Sequence, residues 1–547
     1  MRKLIAVLAV VALFGGGLVF AQESTDEEVA KLKKDIKDLE KRVMKNERKT
    51  ALDRINFKGD FRFEANSIQA DFGDRFNGME LQRLMVDNLF YVNGTGQFPP
   101  SQDEVSGFIA QNYADYLYYL NNVVSFDWLK DVVGSFPPDQ MQAFMGMLLP
   151  YTFEEGYDYK NTLLYTNRLR LQMDAKVSDS VDFSGRLSMY KTWGDSTGVQ
   201  VFNGQPTSIN VDGTTASVPN SDIVRVERAY FTWKSPKFYL SIGRRPSTGG
   251  APLNFRNDEP RGGTPLGSVI NYQFDGATLG WHINDKSTVR LCYGVGFESG
   301  FGNGEFASKP QDRLKDAWFF GVNWDIWNTE DVFIQATLAG AFDVTDGFNG
   351  LVVLPIDPVT GQDVPAPAVL RYSPSANLGD IYWASAVGIF HPGRFDLFGT
   401  LSYMETDPTN VTTPFGGLMS DPFETPEKKD GYMYYVGARY NFSNEKTKLG
   451  LEYNNGSQYW FNMAVAEDDI IAPKTSVRGD VWDLYLTHRI TKNFILKASY
   501  MHYNFKYSQS GWHMGAAKEL ESTPAPILGF PSPTSMDKFL LGLTARF

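Results

Sequence analysis

The chain has 547 residues, a formal net charge of -12 and a single cysteine. The acidic balance argues against a nucleic-acid partner. One cysteine excludes an intrachain disulfide and any cysteine-rich metal site. The five histidines show no ligand spacing, so the sequence predicts neither a cofactor nor a metal site.

The N-terminus has the three regions of a secretory signal peptide. Arg2 and Lys3 precede an apolar run over residues 4–20, and Ala21 comes before a polar segment. This order of charged, apolar and small residues is typical of signal peptides. We therefore expect residues 1–21 to be removed and the protein to be exported.

Residues 22–52 carry a short coiled-coil pattern. Apolar residues recur at alternating steps of three and four, with lysine and glutamate between them. The predicted seam consists of Val29, Leu32, Ile36, Leu39 and Val43. A single amphipathic helix lying on the rest of the protein is the alternative. About three heptads are marginal alone, so attachment to a trimer would help the coil to form.

From residue 54 onward the period changes to two. Residues 168–177 alternate charged or polar with apolar side chains for five repeats, and residues 539–547 alternate in the same way up to a terminal phenylalanine. Such strands fit a membrane barrel with one face on lipid and the other on water. A soluble sheet packed on another layer is the alternative. The strand over 223–234 is irregular near Glu227, which predicts a β-bulge or emergence from the membrane there.

The fold class predicted is all-β, a transmembrane antiparallel β-barrel of about sixteen strands. The connections alternate strictly between short turns and long loops rich in Gly, Pro, Asn and Asp, as in bacterial outer-membrane barrels. An even count would place both termini, and the coiled coil, in the periplasm. The predicted strands are 54–65, 163–177, 181–193, 223–234, 237–245, 268–283, 287–298, 315–327, 331–343, 379–391, 394–405, 430–442, 446–456, 479–490, 493–507 and 536–547.

The barrel domain is expected to span residues 53–547, with a very long first outer loop at about 66–161. This loop contains helix-like stretches around 103–120 and 138–149. Long loops in compact domains usually have a function. The sequence leaves open whether this one fills the lumen, caps the mouth or reaches a neighbouring subunit.

Sixteen strands leave an aqueous lumen, and strand alternation predicts which side chains line it. Arginines outnumber acids on the early strands, which favours anions there, whereas the acidic total favours cation-attracting outer loops. A hydrated wall whose charges pair across strands is the alternative. The predicted lumen-lining residues are Lys58, Arg62, Glu64, Arg168, Arg170, Asp174, Lys176, Arg186, Arg228 and Arg290.

The third long loop is the candidate constriction. Its glycines and prolines permit a sharp inward turn. Its charges could supply a transverse field in the lumen. A surface loop is the alternative. The candidate residues are Arg244, Arg245, Arg256, Asp258, Glu259 and Arg261.

The order of signal peptide, coiled coil and barrel resembles a family of Gram-negative outer-membrane porins that have an N-terminal periplasmic coiled coil and a general, trimeric porin-like barrel. The resemblance is carried by residues 55–63 (INFKGDFRF), 241–246 (SIGRRP) and 274–276 (FDG). It covers nearly the whole chain and implies no particular substrate.

The function predicted is an outer-membrane porin for passive diffusion of small hydrophilic solutes or ions. We expect outer-membrane lipid as its surroundings and a homotrimer. The alternative is a structural barrel, either a sheath around a periplasmic or multihaem cytochrome or an outer-membrane anchor. No serine and histidine stand in a convincing catalytic arrangement, so an enzyme is not expected. The segment before the first strand is too short for a plug domain.

Overall fold

A computed structural model describes residues 32–43, 55–193, 224–299, 314–346, 350–356, 363–372, 375–464, 473–521, 524–528 and 531–547. The chain divides into two units, residues 1–56 and 57–547. The predicted signal peptide and Val29 lie outside the described residues.

The first unit contains a helix over residues 32–43. Leu32, Ile36, Leu39 and Val43, which the sequence places on one stripe, are all exposed in the single chain. An exposed apolar stripe at heptad spacing is typical of a single helix taken from a coiled coil.

The second unit is built on a closed barrel of sixteen antiparallel strands, which confirms the predicted fold class. The strands, labelled in chain order, are β1 Ile55–Phe72, β2 Tyr157–Lys176, β3 Val181–Thr192, β4 Arg225–Lys234, β5 Phe238–Arg244, β6 Asp275–Asn284, β7 Ser287–Phe297, β8 Ala317–Asn328, β9 Val332–Thr345, β10 Asn377–Phe390, β11 Phe395–Pro408, β12 Asp430–Asn441, β13 Thr447–Gly456, β14 Gly479–Thr491, β15 Phe494–Phe505 and β16 Pro533–Arg546.

The barrel closes where the first and last strands pair. β1 and β16 run antiparallel, with Asp60 opposite Arg546 and Ala70 opposite Met536. Closure leaves no free sheet edge, so backbone donors and acceptors are satisfied between neighbouring strands, as a bilayer requires. No helix among the described residues is long and apolar enough to cross a membrane.

Strand β11 shows how alternation sorts side chains between the two faces. Leu401 and Tyr403 are exposed on the outside of the barrel. The alternate residues Ser402 and Met404 are buried inside it. The outer face is therefore apolar, which fits lipid.

Three strand boundaries differ from the sequence prediction by six or seven residues. β1 continues to Phe72, β2 begins at Tyr157 rather than at residue 163, and β6 begins at Asp275 rather than at residue 268. Residues 268–274 belong instead to the third long loop (245–274). There the Asn271 N–H donates to the Met463 carbonyl at 2.7 Å, so this segment bonds to another loop and not to the barrel ladder.

The first long loop (73–156) is largely helical. Its helices are α1 Gly78–Thr95, α2 Gln102–Gln111, α3 Tyr113–Asn122, α4 Phe126–Ser135 and α5 Pro138–Leu148. Helices α1, α4 and α5 share a buried core that includes Leu84, Met85, Leu129, Phe144 and Leu148.

The first long loop is fastened to two other long loops. Gln82 donates to the Pro414 carbonyl at 2.7 Å in the sixth long loop (409–429). The short strand Arg75–Asn77 pairs with Phe153–Glu154 and with Pro526–Ile527 of the eighth long loop (506–532). These contacts place the first long loop across the end of the barrel that carries the long loops, which we call the long-loop end. Of the three roles that the sequence left open, they favour capping the mouth.

One side of the barrel interior is filled with apolar side chains. The walls of β8–β12 and the third, sixth, seventh (457–478) and eighth long loops share one buried cluster, which includes Leu266, Trp383, Leu418, Trp460 and Met514. The Trp383 indole donates to the Phe461 carbonyl at 2.7 Å. We call the β8–β14 side with these loops the filled half.

Candidate functional site

The third long loop folds into the barrel and contacts its wall on several sides. The Arg228 guanidinium of β4 donates to the Thr248 carbonyl at 3.1 Å near the start of the loop. The Gln335 amide of β9 donates to the Thr264 carbonyl at 2.8 Å further along. The loop thus crosses the lumen.

The loop tip is held by Asp258, which is nearly buried and faces three basic side chains. Its carboxylate lies 2.6 Å from Lys448 Nζ, 2.7 Å from Arg489 Nη2 and 3.6 Å from Arg439 Nη1. These three residues lie next to the short turns that join β12 to β13 and β14 to β15. The tip therefore reaches the short-turn end of the barrel.

Burial alone would raise the pKa of Asp258, but hydrogen bonds and charge from Lys448, with further contributions from Arg489, outweigh it. The pKa of this carboxyl therefore lies below its ordinary value. The ionised form is the one that anchors the tip.

The next residue, Glu259, ties the loop to β2. Its carboxylate lies 2.9 Å from Arg170 Nη2 and 3.7 Å from Arg168 Nη2. Both arginines also contact Asp60 of β1. Burial would raise the pKa of Glu259, yet the charges of Arg170 and Arg168 outweigh burial and lower it.

Two further charged residues of the third long loop, Arg256 and Arg261, contact the barrel wall on the side away from β2. Arg256 is buried, with Nη1 3.6 Å from Asp483 of β14. Arg261 lies 3.0 Å from Asp325 of β8 and over the Phe333 ring. Ion pairs on both sides fix the position of the loop in the lumen.

Arg244 and Arg245 lie apart from these contacts. Arg244 ends β5 and donates to Asp275 of β6 at 3.1 Å. Arg245 is buried, lies over the Tyr230 ring and lines a small cavity of about 50 Å³ together with Cys292.

A larger cavity, of about 480 Å³, lies between the third long loop and the walls of β1–β4 and β16. We call this side the polar half. The charged residues that line the cavity are Lys58, Asp60, Arg168, Arg170, Arg186, Glu227, Arg228, Arg256, Glu259 and Arg546.

Five of the predicted lumen-lining residues, Lys58, Arg168, Arg170, Arg186 and Arg228, thus meet at one cavity. The structure places the other five elsewhere in the following way.

Arg62 and Glu64 pair with each other at 3.1 Å on β1. Asp174 accepts from Ser184 at 2.9 Å. Lys176 pairs with Asp179 at 3.3 Å at an exposed short turn. Arg290 is buried and pairs with Asp325 at 2.8 Å.

Glu227 reaches the cavity through a bulge. The register of β3 against β4 shifts so that Arg186 faces Arg228 and Leu187 faces Val226, which leaves Glu227 without a facing residue. The bulge predicted from the irregular alternation is confirmed. It turns Glu227 inward, where its carboxylate lies 3.1 Å from Arg186 Nη1.

Sequence reasoning missed Lys474, the central residue of a buried charge cluster. Lys474 lies in the seventh long loop, where strand alternation does not predict the direction of a side chain. It pairs with Glu452 of β13 and lies 2.9 Å from Asp483 of β14. All three side chains are almost wholly buried. The available signal in the sequence was that two adjacent strands each carry an inward-facing acid, Glu452 and Asp483, and buried acids require a cation nearby.

Within the residues that the structure describes, no group of three or more His, Cys, Asp or Glu side chains is arranged to hold a metal ion.

Comparison with solved structures finds porins at low identity. An anion-selective porin from Comamonas acidovorans has 9% identity and a TM-score of 0.41, with 90% of this chain and 99% of that chain covered. OprB of Pseudomonas putida has 10% identity and a TM-score of 0.40, with coverages of 91% and 96%. The channel DcaP of Acinetobacter baumannii has 11% identity and a TM-score of 0.39, with coverages of 90% and 97%. These values are too low to transfer a solute or a partner.

A search of curated proteins gives no match. Residues 158–547, from β2 to the end of β16 and the last residue, match the family model described as "Protein of unknown function (DUF3373)". The match covers well over half of the chain and includes fifteen of the sixteen barrel strands. The chain therefore belongs to the DUF3373 family.

Proposed function

We propose that this protein is an outer-membrane porin, a channel for passive diffusion of small hydrophilic solutes or ions. A closed barrel with an apolar outer face is suited to a bilayer. The loop that crosses its lumen narrows it without removing its polar lining. Solutes would pass between the third long loop and the polar half.

The observation that carries the proposal is the charged cavity of about 480 Å³ inside the barrel. A barrel that only spans or anchors the membrane gains nothing from placing ten charged side chains around an open space inside it, because partial burial of charges carries a desolvation cost. A water-filled passage accounts for them, since its water solvates the charges.

The sheath alternative conflicts with the contents of the lumen. A cytochrome inside the barrel would need the space occupied by the apolar cluster of the filled half, which includes Trp383 and Trp460. The third long loop would also have to leave its ion pairs on both walls. We therefore prefer the porin.

Recordings from the purified protein in planar bilayers test this function. We expect discrete conductance steps in potassium chloride from protein that migrates differently on gels before and after boiling, as folded barrels do. A correctly folded protein that gives no conductance would exclude the porin and support the anchor.

We further propose that the protein is a homotrimer whose N-terminal helices form a periplasmic coiled coil. The exposed stripe of Leu32, Ile36, Leu39 and Val43 supports this. Replacing Ile36→Asp and Leu39→Asp should abolish self-association of the isolated segment, because charges in the seam oppose pairing. Lys33→Asp and Lys37→Asp, off the stripe, are the control. A monomeric wild-type protein in detergent would contradict the trimer.

A further inference from the structure

The cavity of the polar half has an uneven charge balance. Seven of its lining side chains are basic and three are acidic, so the side chains carry an excess of four positive charges. A carboxylate at the chain end on Phe547, which also lines the cavity, would reduce the excess to three. The whole chain is acidic by contrast, so the cavity reverses the general sign of the molecule.

The three acids are already engaged by arginines. Asp60 lies 2.8 Å from Arg170 Nε. Glu227 lies 3.1 Å from Arg186. Glu259 shares Arg170 at 2.9 Å. Their charges are compensated locally, and little negative potential is left for a passing cation.

Two basic residues of the cavity form no ion pair with the residues that the structure describes. Lys58 is exposed to the cavity and forms no ion pair with any part of the chain that the structure describes. Arg546 is half-buried and also forms no ion pair within 4 Å among these residues, although its charge acts on Glu259; its guanidinium donates to the Asn257 and Asp258 carbonyls at 3.4 and 3.2 Å. These two groups leave positive charge available to a ligand. Arg228, whose Nε lies 3.7 Å from Glu227 and whose Nη2 donates to Thr248, adds a third guanidinium at the cavity wall.

We infer that this cavity is a binding and selectivity site for small solutes that carry an oxyanion group, a carboxylate, phosphate or sulfate. The inference rests on the proposed porin function and names its substrate class. Guanidinium groups match the geometry of oxyanions and can bind them with paired hydrogen bonds. The lining amides of Gln172, Asn254 and Gln273 add polar contacts and little apolar surface.

The acidic surface of the molecule does not cancel this preference. Charges on exposed loops are screened over a Debye length of about 8 Å at physiological salt. Charges in a narrow passage with low-dielectric walls are screened less and act on every ion that crosses. Selectivity therefore follows the sign of the cavity.

Reversal potentials in a potassium chloride gradient test the inference, because one set of variants should lower the chloride-to-potassium permeability ratio and another should raise it. Wild-type channels should prefer chloride. The variant K58Q/R228Q should lower the chloride-to-potassium permeability ratio by at least about threefold, and K58Q alone by a smaller factor in the same direction. E227Q should raise the ratio, because it removes a negative charge from the same cavity.

R244Q is the matched control, because it also removes one arginine charge next to the third long loop. Arg244 lies outside the cavity, beside Asp275. The variant should leave the ratio unchanged. Added sodium phosphate or sodium sulfate should reduce the chloride current of the wild type, and less so that of K58Q/R228Q. Benzoate in parallel distinguishes carboxylates from inorganic oxyanions.

The outcomes separate the two proposals. Conducting wild-type channels that prefer potassium, or a ratio unmoved by K58Q and by E227Q, would overturn the anion site and leave the porin function intact. Wild-type protein that is folded but does not conduct would overturn both.

Discussion

The polar half and the filled half are built by the same strand alternation yet have opposite interiors. On β2 and β3 the inward positions are Arg168, Arg170 and Arg186, which line an open cavity. On β10 the inward positions include Ile381, Trp383 and Val387, all buried under loops.

The difference shows that wall chemistry decides where a loop docks. Apolar side chains facing an aqueous lumen are stabilised by covering them, at roughly 25 cal/mol per Å² of apolar surface removed from water. Ionised side chains favour remaining hydrated unless each finds a partner. The loops accordingly pack on β8–β14 and leave water space beside β1–β4.

The strongest way to break this arrangement is to delete residues 248–256, the part of the third long loop that descends to the tip. Single-channel conductance should rise at least about twofold, because the narrowest section governs the resistance of a pore. Gel mobility before and after boiling shows whether the barrel still assembles. Unchanged conductance in an assembled variant would refute a constriction by this loop.

A smaller but still large effect should come from Lys474→Met in the filled half. The change leaves Glu452 buried without its ion-pair partner and leaves Asp483 with the more distant Arg256, at 3.6 Å. This should cost about 3–5 kcal/mol of unfolding free energy. Urea-induced unfolding in detergent measures it.

Lys234→Met is the matched control, because its pair with Asp182 is largely exposed and should contribute less than about 1 kcal/mol. Equal losses for the two variants would show that Lys474 lies in a hydrated site and that the filled half is wetter than described.

The mildest test is acidification, which acts on the loop tip. The pKa values of Asp258 and Glu259 are lowered in the folded protein. The stabilisation that these two carboxylates give the loop tip is thus fully present at a pH above their pKa values in the unfolded chain, about 4. It is lost as the pH falls through their lower pKa values in the folded protein. Current fluctuations should increase below about pH 4.

Asp258→Asn should show part of these fluctuations at neutral pH, since it removes the charge that faces Lys448 and Arg489. Asp421→Asn, in the sixth long loop beside Lys518, is the control. A steady current from pH 7 to pH 3 would contradict an ionic anchor at the tip.

The barrel could be predicted from sequence because strand alternation and turn lengths are local signals. The inward arginines of β2–β4 followed from parity alone, and even the bulge at Glu227 showed as a break in the pattern. These features require only neighbouring residues.

The filled half could not be predicted in the same way. Leu266, Trp460 and Met514 come from three loops far apart in sequence, and their packing depends on long-range contacts that no local period encodes. Lys474 and the inward reach of Asp258 to the short-turn end depend on the same contacts.

Cysteine accessibility tests most directly whether solutes pass through the polar half. In a Cys292→Ser background, Gln172→Cys places a thiol on the cavity wall, and Thr337→Cys places one in the buried wall of β9. A negatively charged methanethiosulfonate reagent should reduce the current through Gln172→Cys channels and leave Thr337→Cys channels unaffected. Block of Thr337→Cys channels, or no effect at Gln172→Cys, would contradict a passage through the polar half.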